Sequence, residues 1–273
     1  MIRLAVRCAA EQAEVVLAEL VQLAPGGIEE ETGPGWVEYA IYGADGELPD
    51  LGAVEAAAGE GMVDVRSEQI PDDWADRWRD FHEPTAIAAG RVVIRPSWHA
   101  AEEPTGIDVV IDPGQAFGTG AHPTTRMCVE LLVGLADAGH ANGSLVDLGT
   151  GSAVLAIVAA KLGFAPVRGV DLEVAALEAA AANAAANGVE IGFERVNLRT
   201  ERPPDAPTVV ANLTAPLLRD VAASLPPATE RLVCSGLLSR EAEAVETAFA
   251  SAGLNRRERR DSGDWSALSF QRG

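Results

Sequence analysis

Apolar residues recur along this chain at two periods, and the switches between them mark its elements. Ile2, Leu4, Val6 and Cys8 alternate with polar neighbours, the period of a half-buried strand. Over residues 10–23 the spacing becomes helical, with Val15, Val16, Glu19 and Leu20 marking an amphipathic face, and Pro25-Gly26-Gly27 ends it. Residues 28–31 and 36–42 predict a hairpin around Thr32-Gly33-Pro34-Gly35. Residues 51–58 predict a short helix and residues 62–70 a last strand. The order β-α-β-β-α-β over residues 1–70 is that of a small ferredoxin-like α+β module. It carries no constellation that suggests chemistry, so a substrate-recognition or docking domain is expected.

A new helix is predicted over residues 71–82, capped by Asp72 or Asp73, with Trp74, Trp78 and Phe81 on one face. It serves as the domain linker. Residues 91–95 and 108–111 read as strands. A helix over residues 124–136 turns Cys128, Leu131, Leu132 and Leu135 inward and takes Pro123 into its first turn. Strands are then predicted at 145–146, 167–170, 191–196, 208–211 and 231–234. Helices are predicted at 154–162, 173–187, 217–225 and 241–252. Segments 254–260 and 265–272 form a terminal hairpin around Ser262-Gly263-Asp264. This alternation predicts an α/β domain over residues 83–273, its mostly parallel sheet closed by an antiparallel hairpin.

The stretch from 144 to 171, SLVDLGTGSAVLAIVAAKLGFAPVRGVD, is the centre of that domain. Strand, glycine turn, helix, strand and acid make the βαβ unit of a nucleotide-binding fold. Glycines let backbone approach a ligand, and the helix N-terminus offers unpaired N–H groups. Asp171, closing the second strand, can accept hydrogen bonds from ribose hydroxyls. A dinucleotide fingerprint needs a small residue where Val154 stands. The pattern is instead D-x-G-x-G-S-A, with Asp147, Gly149 and Gly151, and with Ala153 where a third glycine would complete the turn of S-adenosylmethionine (SAM) methyltransferases. Asp147 is placed to orient the loop or to hold the methionine amine.

Two other stretches carry polar chemistry. Residues 112–125, DPGQAFGTGAHPTT, put three glycines and a phenylalanine in a loop suited to wrapping a ligand. No Lys-Ser/Thr follows those glycines, so it is not a phosphate-binding Walker loop. Asn212 ends the strand at 208–211, and the carboxyl end of a central parallel strand is where such folds place their chemistry.

Composition narrows the setting. The 273 residues are 48% hydrophobic, enough for a sizeable core. Forty-one acids against 21 basic residues give a net charge of −20, which disfavours a nucleic-acid backbone and suits a basic partner. Arg256, Arg257, Arg259 and Arg260 are read as a solvated strand. Cys8, Cys128 and Cys234 are far apart, and His82, His99, His122 and His140 form no ligand motif, so buried free thiols and no metal are expected. No apolar run is long enough to span a membrane, and the N-terminus is too quickly acidic for a signal peptide. A cytoplasmic location is expected.

Taken together the motifs resemble the bacterial methyltransferases of ribosomal large-subunit protein eleven. The likeness rests on DDWADRWRDFHEP, RVVIRPSW, DPGQAFGTGAHPTTRMC, DLGTGSAVLAIVAAKLG, VVANLTAPLL and GDWSALSF, with FGTGAHPTT the most specific. It implies a small N-terminal recognition domain and a seven-stranded Rossmann-like class I domain that binds SAM. By that resemblance Thr125, Gly149, Asp171 and Asn212 match cofactor-contacting positions, and Phe117 matches an aromatic lying over the cofactor. Asn212, with the backbone carbonyls of Leu213 and Thr214, is expected to orient the amine. Two departures are present: Ala153 replaces a glycine, and Thr214 stands in NLTAPL where the family more often shows alanine followed by glycine before the proline. The implied reaction moves methyl groups from SAM to lysine or N-terminal α-amino groups of the ribosomal protein. That substrate is basic and taken free of the ribosome, by a monomer with no direct nucleic-acid or membrane contact. Methylation of another protein or a small amine, and SAM binding without turnover, are the alternatives.

Overall fold

Strand β1 (Ile2–Ala9) pairs antiparallel on both sides, with β3 (Trp36–Gly43) and β4 (Val63–Gln69). A further strand, β2 (Glu29–Gly33), pairs with β3, giving the order β2-β3-β1-β4. These elements belong to a computed structural model that describes residues 2–13, 16, 17, 20, 29–43, 63–69, 83–100, 106–112 and 120–273. The expected helices at 51–58 and 71–82, with Trp74, Trp78 and Phe81, lie outside those residues, as does Phe117. The hairpin turn is tighter than expected. Thr32 and Gly33 stay in register with Val37 and Trp36, leaving only Pro34 and Gly35 to reverse the chain.

One face of this sheet packs Val6, Cys8, Val37, Tyr39 and Ile41 against Val16 and Leu20 of the helical segment that follows β1. Glu38 is buried beside Arg3 and Arg7, at 2.8 and 2.9 Å. Burial raises its pKa, but the two guanidinium groups outweigh that and hold the carboxyl below its ordinary range.

The chain divides into two compact units, residues 1–81 and 82–273. The second is built on a seven-stranded sheet. Its parallel strands are β8 (Leu145–Leu148), β9 (Val167–Asp171), β10 (Ile191–Arg195), β11 (Thr208–Asn212) and β12 (Arg231–Leu238). A hairpin of β13 (Leu254–Ser262) and β14 (Trp265–Arg272) joins antiparallel through β14. The order is β10-β9-β8-β11-β12-β14-β13. The chain thus runs outward from β8 in one direction and returns to the other side of it with β11. The β8/β11 boundary is the switch point at which such sheets open a crevice beyond their carboxyl ends.

Helices cover both faces. One core joins α1 (Pro123–Asp137), α2 (Val154–Leu162) and Ala180 of α3 (Val174–Ala186) to Leu145, Val210 and Val233. The other joins α4 (Ala215–Ser224) and α5 (Ala242–Ser251) to Leu148, Ala211 and Phe270. Helix α4 starts two residues before the expected position, because Thr214 serves as N-cap and Pro216 fits the first turn.

The strands near residues 91–95 and 108–111 do not join this sheet. As β6 (Val92–Arg95) and β7 (Ile107–Val110) they form a separate three-stranded sheet with β5 (Thr85–Ile87), which the sequence pattern does not announce. Its Ile87, Ile94 and Val109 join the α1–α2 core. That explains a second departure. Leu155, Val158 and Leu162 share one stripe of α2 at helical spacing, yet every residue from Val154 to Ala159 is buried and Leu162 only partly so. The small sheet packs on α2 from outside, so this helix has no solvent face in its first turns. Asn187, at the C-cap of α3, ties the small sheet down. Its Oδ1 accepts the Val110 N–H at 2.9 Å and its Nδ2 donates to the Val110 carbonyl at 2.6 Å.

In β13 the arginines carry ion pairs: Arg256 with Glu246, Arg259 with Asp261, and Arg260 with both Glu130 and Glu258. Cys8, Cys128 and Cys234 are buried free thiols. Among the described residues no group of His, Cys, Asp and Glu could hold a metal ion, and no helix is long and apolar enough to cross a membrane.

Candidate active site

Alternation along the strands decides what reaches the crevice. In β11, Val209 and Ala211 face the α4–α5 core while Val210 faces the α1–α2 core. Asn212 has the parity of Val210 and so lies on the α1 side. There its Nδ2 donates to the hydroxyls of Thr124 at 3.2 Å and Thr125 at 3.5 Å, in the first turn of α1. Both threonines are buried. Asn212 and Thr125, separated by 87 positions, are thus brought together, and Thr124 stands nearer to the asparagine than Thr125 does.

The glycine turn joins β8 to α2. Asp147 is the last residue but one of β8, inside the strand rather than in the turn. It is fully buried, accepts a hydrogen bond from the Thr150 hydroxyl at 2.8 Å, and has its pKa pushed up to about 7. Burial is the main cause. Hydrogen bonds from Thr150 and the Ala156 backbone oppose it, and the charge of Asp171 adds to it. An interior position of this kind suits orienting the loop, the first of the two roles expected for Asp147.

The backbone N–H groups of Gly149 and Thr150 both donate to the Val170 carbonyl at 2.9 Å, which ties the turn to the end of β9. Gly149, Gly151 and Ala153 all have positive φ, at 68°, 51° and 64°. A Cβ on Gly149 would collide with the Leu213 side chain. Ala153 holds a left-handed backbone although it carries a side chain, with its methyl fully buried.

Asp171 ends β9. Its Oδ2 accepts the Gly151 N–H at 3.0 Å and its Oδ1 accepts the Glu173 N–H at 3.1 Å. One backbone bond to each oxygen fixes the carboxylate and leaves each oxygen a lone pair for a ligand hydroxyl. Leu213 is half-buried and donates its N–H to the Ser235 carbonyl at 3.0 Å, while Thr214 is exposed.

The structure adds residues that the sequence pattern did not single out. His122 caps α1, lies edge-on to Trp265 with ring centroids 5.0 Å apart, and bonds to Thr124 through Nδ1 at 2.7 Å. Gly236 lies against the Leu213 backbone. Adjacency in HPTT was the available signal for His122 and Thr124. For Gly236 there was none, since a bulge in β12 creates the contact.

The donor set fits an adenosyl amino acid: a carboxylate for the ribose at the end of β9, a close-approach glycine turn at a helix N-terminus, and an amide at the end of β11. Fold and site together define a class I SAM-dependent methyltransferase. A family model described as ribosomal protein L11 methyltransferase (PrmA) matches residues 47–273. A relative from Shewanella pealeana described as ribosomal protein L11 methyltransferase is 40% identical over 208 residues, covering 74% of this chain and 69% of its own. One from Pectobacterium carotovorum with the same description is 39% identical over 220 residues, covering 77% and 72%. The crystal structure of a ribosomal protein L11 methylase from Lactobacillus delbrueckii subsp. bulgaricus superposes with a TM-score of 0.58 at 27% identity, over 67% of this chain and 95% of that one. The chain belongs to the ribosomal protein L11 methyltransferase family.

Proposed function

We propose that this protein transfers methyl groups from SAM to lysine side-chain or N-terminal α-amino groups of ribosomal protein L11. The observation that carries the site assignment is the Asn212 amide, held by Thr124 and Thr125 at the mouth of the β8/β11 crevice. Asp171 holds the ribose hydroxyls, and the turn through Gly149 and Gly151 takes the cofactor's backbone-contacting part. Thr125 and Phe117 complete the cofactor side. When bound, SAM supplies a methyl group on a cationic sulfur. A lysine amine has a pKa of about 10.4 in water and must lose its proton before it attacks. Asn212 Oδ1 and a carbonyl of the Leu213–Thr214 backbone accept the two N–H bonds of the neutral amine and aim its lone pair.

Residues 1–70 are read as a ferredoxin-like substrate-recognition domain. The antiparallel order β2-β3-β1-β4 supports that reading. Residues 71–82 are read as a linker and 83–273 as the catalytic domain, working as a cytoplasmic monomer on L11 free of the ribosome.

The test is to incubate the purified protein with SAM and free L11, then read intact mass and peptide fragments. Added methyls on lysines or the N-terminus support the proposal. The family match begins at residue 47, so residues 1–46 can carry a different preference. Methylation of another protein or small amine but not L11 would overturn the substrate. SAM binding without methylation of any amine would overturn the enzymatic reading. Asn212→Ala is expected to lower turnover at least a hundredfold in a folded protein.

A further inference from the structure

His122 and Thr124 make a directed hydrogen-bond chain that ends on Asn212. The Thr124 backbone N–H donates to His122 Nδ1 at 3.3 Å, as expected of an N-cap side chain. An atom that accepts carries no proton, so Nδ1 also accepts from the Thr124 hydroxyl, 2.7 Å away. With its hydrogen committed there, Thr124 Oγ1 can only accept on its other side. The partner on that side, 3.2 Å away, must be the Asn212 NH2. The amide orientation follows: nitrogen toward the threonines, Oδ1 away from them. The Trp265 ring, edge-on at 5.0 Å, braces the imidazole that begins the chain.

We propose that His122 is a positioning residue that, through Thr124, makes Asn212 present its carbonyl oxygen to the methyl-accepting amine. This rests on the reading of Asn212 as an amine-orienting residue. Protonating His122 would reverse the chain. Nδ1–H would donate to Thr124 Oγ1, the hydroxyl would donate to Asn212, and the amide would turn to offer Oδ1 to the threonine. Its NH2 would then meet the substrate amine and bind the lone pair needed for attack. Burial pushes the His122 pKa down from 6.5, which keeps the imidazole neutral at physiological pH. The charged groups beside its chain neighbours Ala121 and Pro123 are Arg126 and Glu130 of α1 and Arg260 and Asp261 of β13. They line one cavity with Ala121 and Pro123 and balance in sign.

The experiment compares kcat/KM for L11 between about pH 5 and pH 9 in the wild type, His122→Asn, Thr124→Val, Thr124→Ser and Asn212→Ala, with SAM affinity and thermal unfolding measured alongside. Asparagine at an N-cap accepts the Thr124 N–H and does not titrate. The wild-type profile is expected to steepen from about one proton to about two at the acid end of that range, while His122→Asn stays near one. Thr124→Val should lower kcat at least tenfold with SAM affinity within about threefold, and Thr124→Ser should restore most of it. Equal slopes in wild type and His122→Asn, or an undiminished Thr124→Val beside a crippled Asn212→Ala, would overturn the chain. An undiminished Asn212→Ala would instead overturn the reading of Asn212 beneath it.

Discussion

A Cβ placed on Gly236 would lie 2.5 Å from the Leu213 carbonyl oxygen and 2.9 Å from the Leu213 nitrogen. The bulge between Cys234 and Leu237 turns β12 toward the loop that follows Asn212, and Ser235 accepts the Leu213 N–H there. Gly236 also has φ of +83°. Alanine at this position meets two costs: about 1–2 kcal/mol for the left-handed backbone and about 1–3 for displacing Leu213. Gly236→Ala is expected to lose about 2–5 kcal/mol in urea unfolding and at least tenfold in kcat. Wild-type turnover in the variant would mean that the Leu213 carbonyl need not be held.

Ala153 pits backbone strain against burial. Replacing it by glycine relieves about 1–2 kcal/mol of left-handed strain. It also removes a buried methyl worth about 0.8 kcal/mol and adds about 0.5–1 of chain entropy. Ala153→Gly should therefore change stability by less than about 1 kcal/mol. Ala153→Val adds a β-branch to a positive-φ residue with no exposed surface and should cost about 3 kcal/mol or more. Denaturant titration of the pair checks both.

Asp147 imposes a pH dependence of definite sign. The folded protein holds its proton up to about pH 7, the unfolded chain only to about 3.8. The stabilisation is full below pH 3.8 and declines as pH rises toward 7, by at most about 1.4 kcal/mol per unit. Above pH 7 it is gone and the dependence is flat. Asp147→Asn removes this titration. The stability of wild type relative to the variant, measured by chemical unfolding at several pH values, is expected to fall between pH 4 and 7. A constant difference would show that the carboxyl is ionised throughout.

Asn187 bonds both main-chain groups of Val110 and so substitutes for a strand neighbour. Asn187→Ala leaves that N–H and carbonyl without their partner and should cost about 1–3 kcal/mol. Hydrogen exchange is expected to speed up first at Val110 and along β7.

The sequence by itself determined the order of elements from α1 onward in the larger unit. Each parallel strand there carries apolar residues at its centre, and the helices from α3 onward stop at Asn187-Gly188, Leu225-Pro226 and Ala252-Gly253. It also made the glycine turn legible, because only short-range geometry is needed to read Gly149 and Gly151 as a tight turn between strand and helix. What it left open depended on contacts between distant residues. The burial of the first turns of α2 on every side was decided by the β5–β7 sheet, whose strands are too short to declare which layer they join. The meeting of Asn212 with Thr124 was decided by strand parity and by α1 beginning at the same crevice. The role proposed for His122 follows only from that meeting, since a lone histidine before a helix reads simply as a cap. Periodicity records which face of an element is apolar. The fold alone chooses what that face, and the polar side chain at its end, will touch.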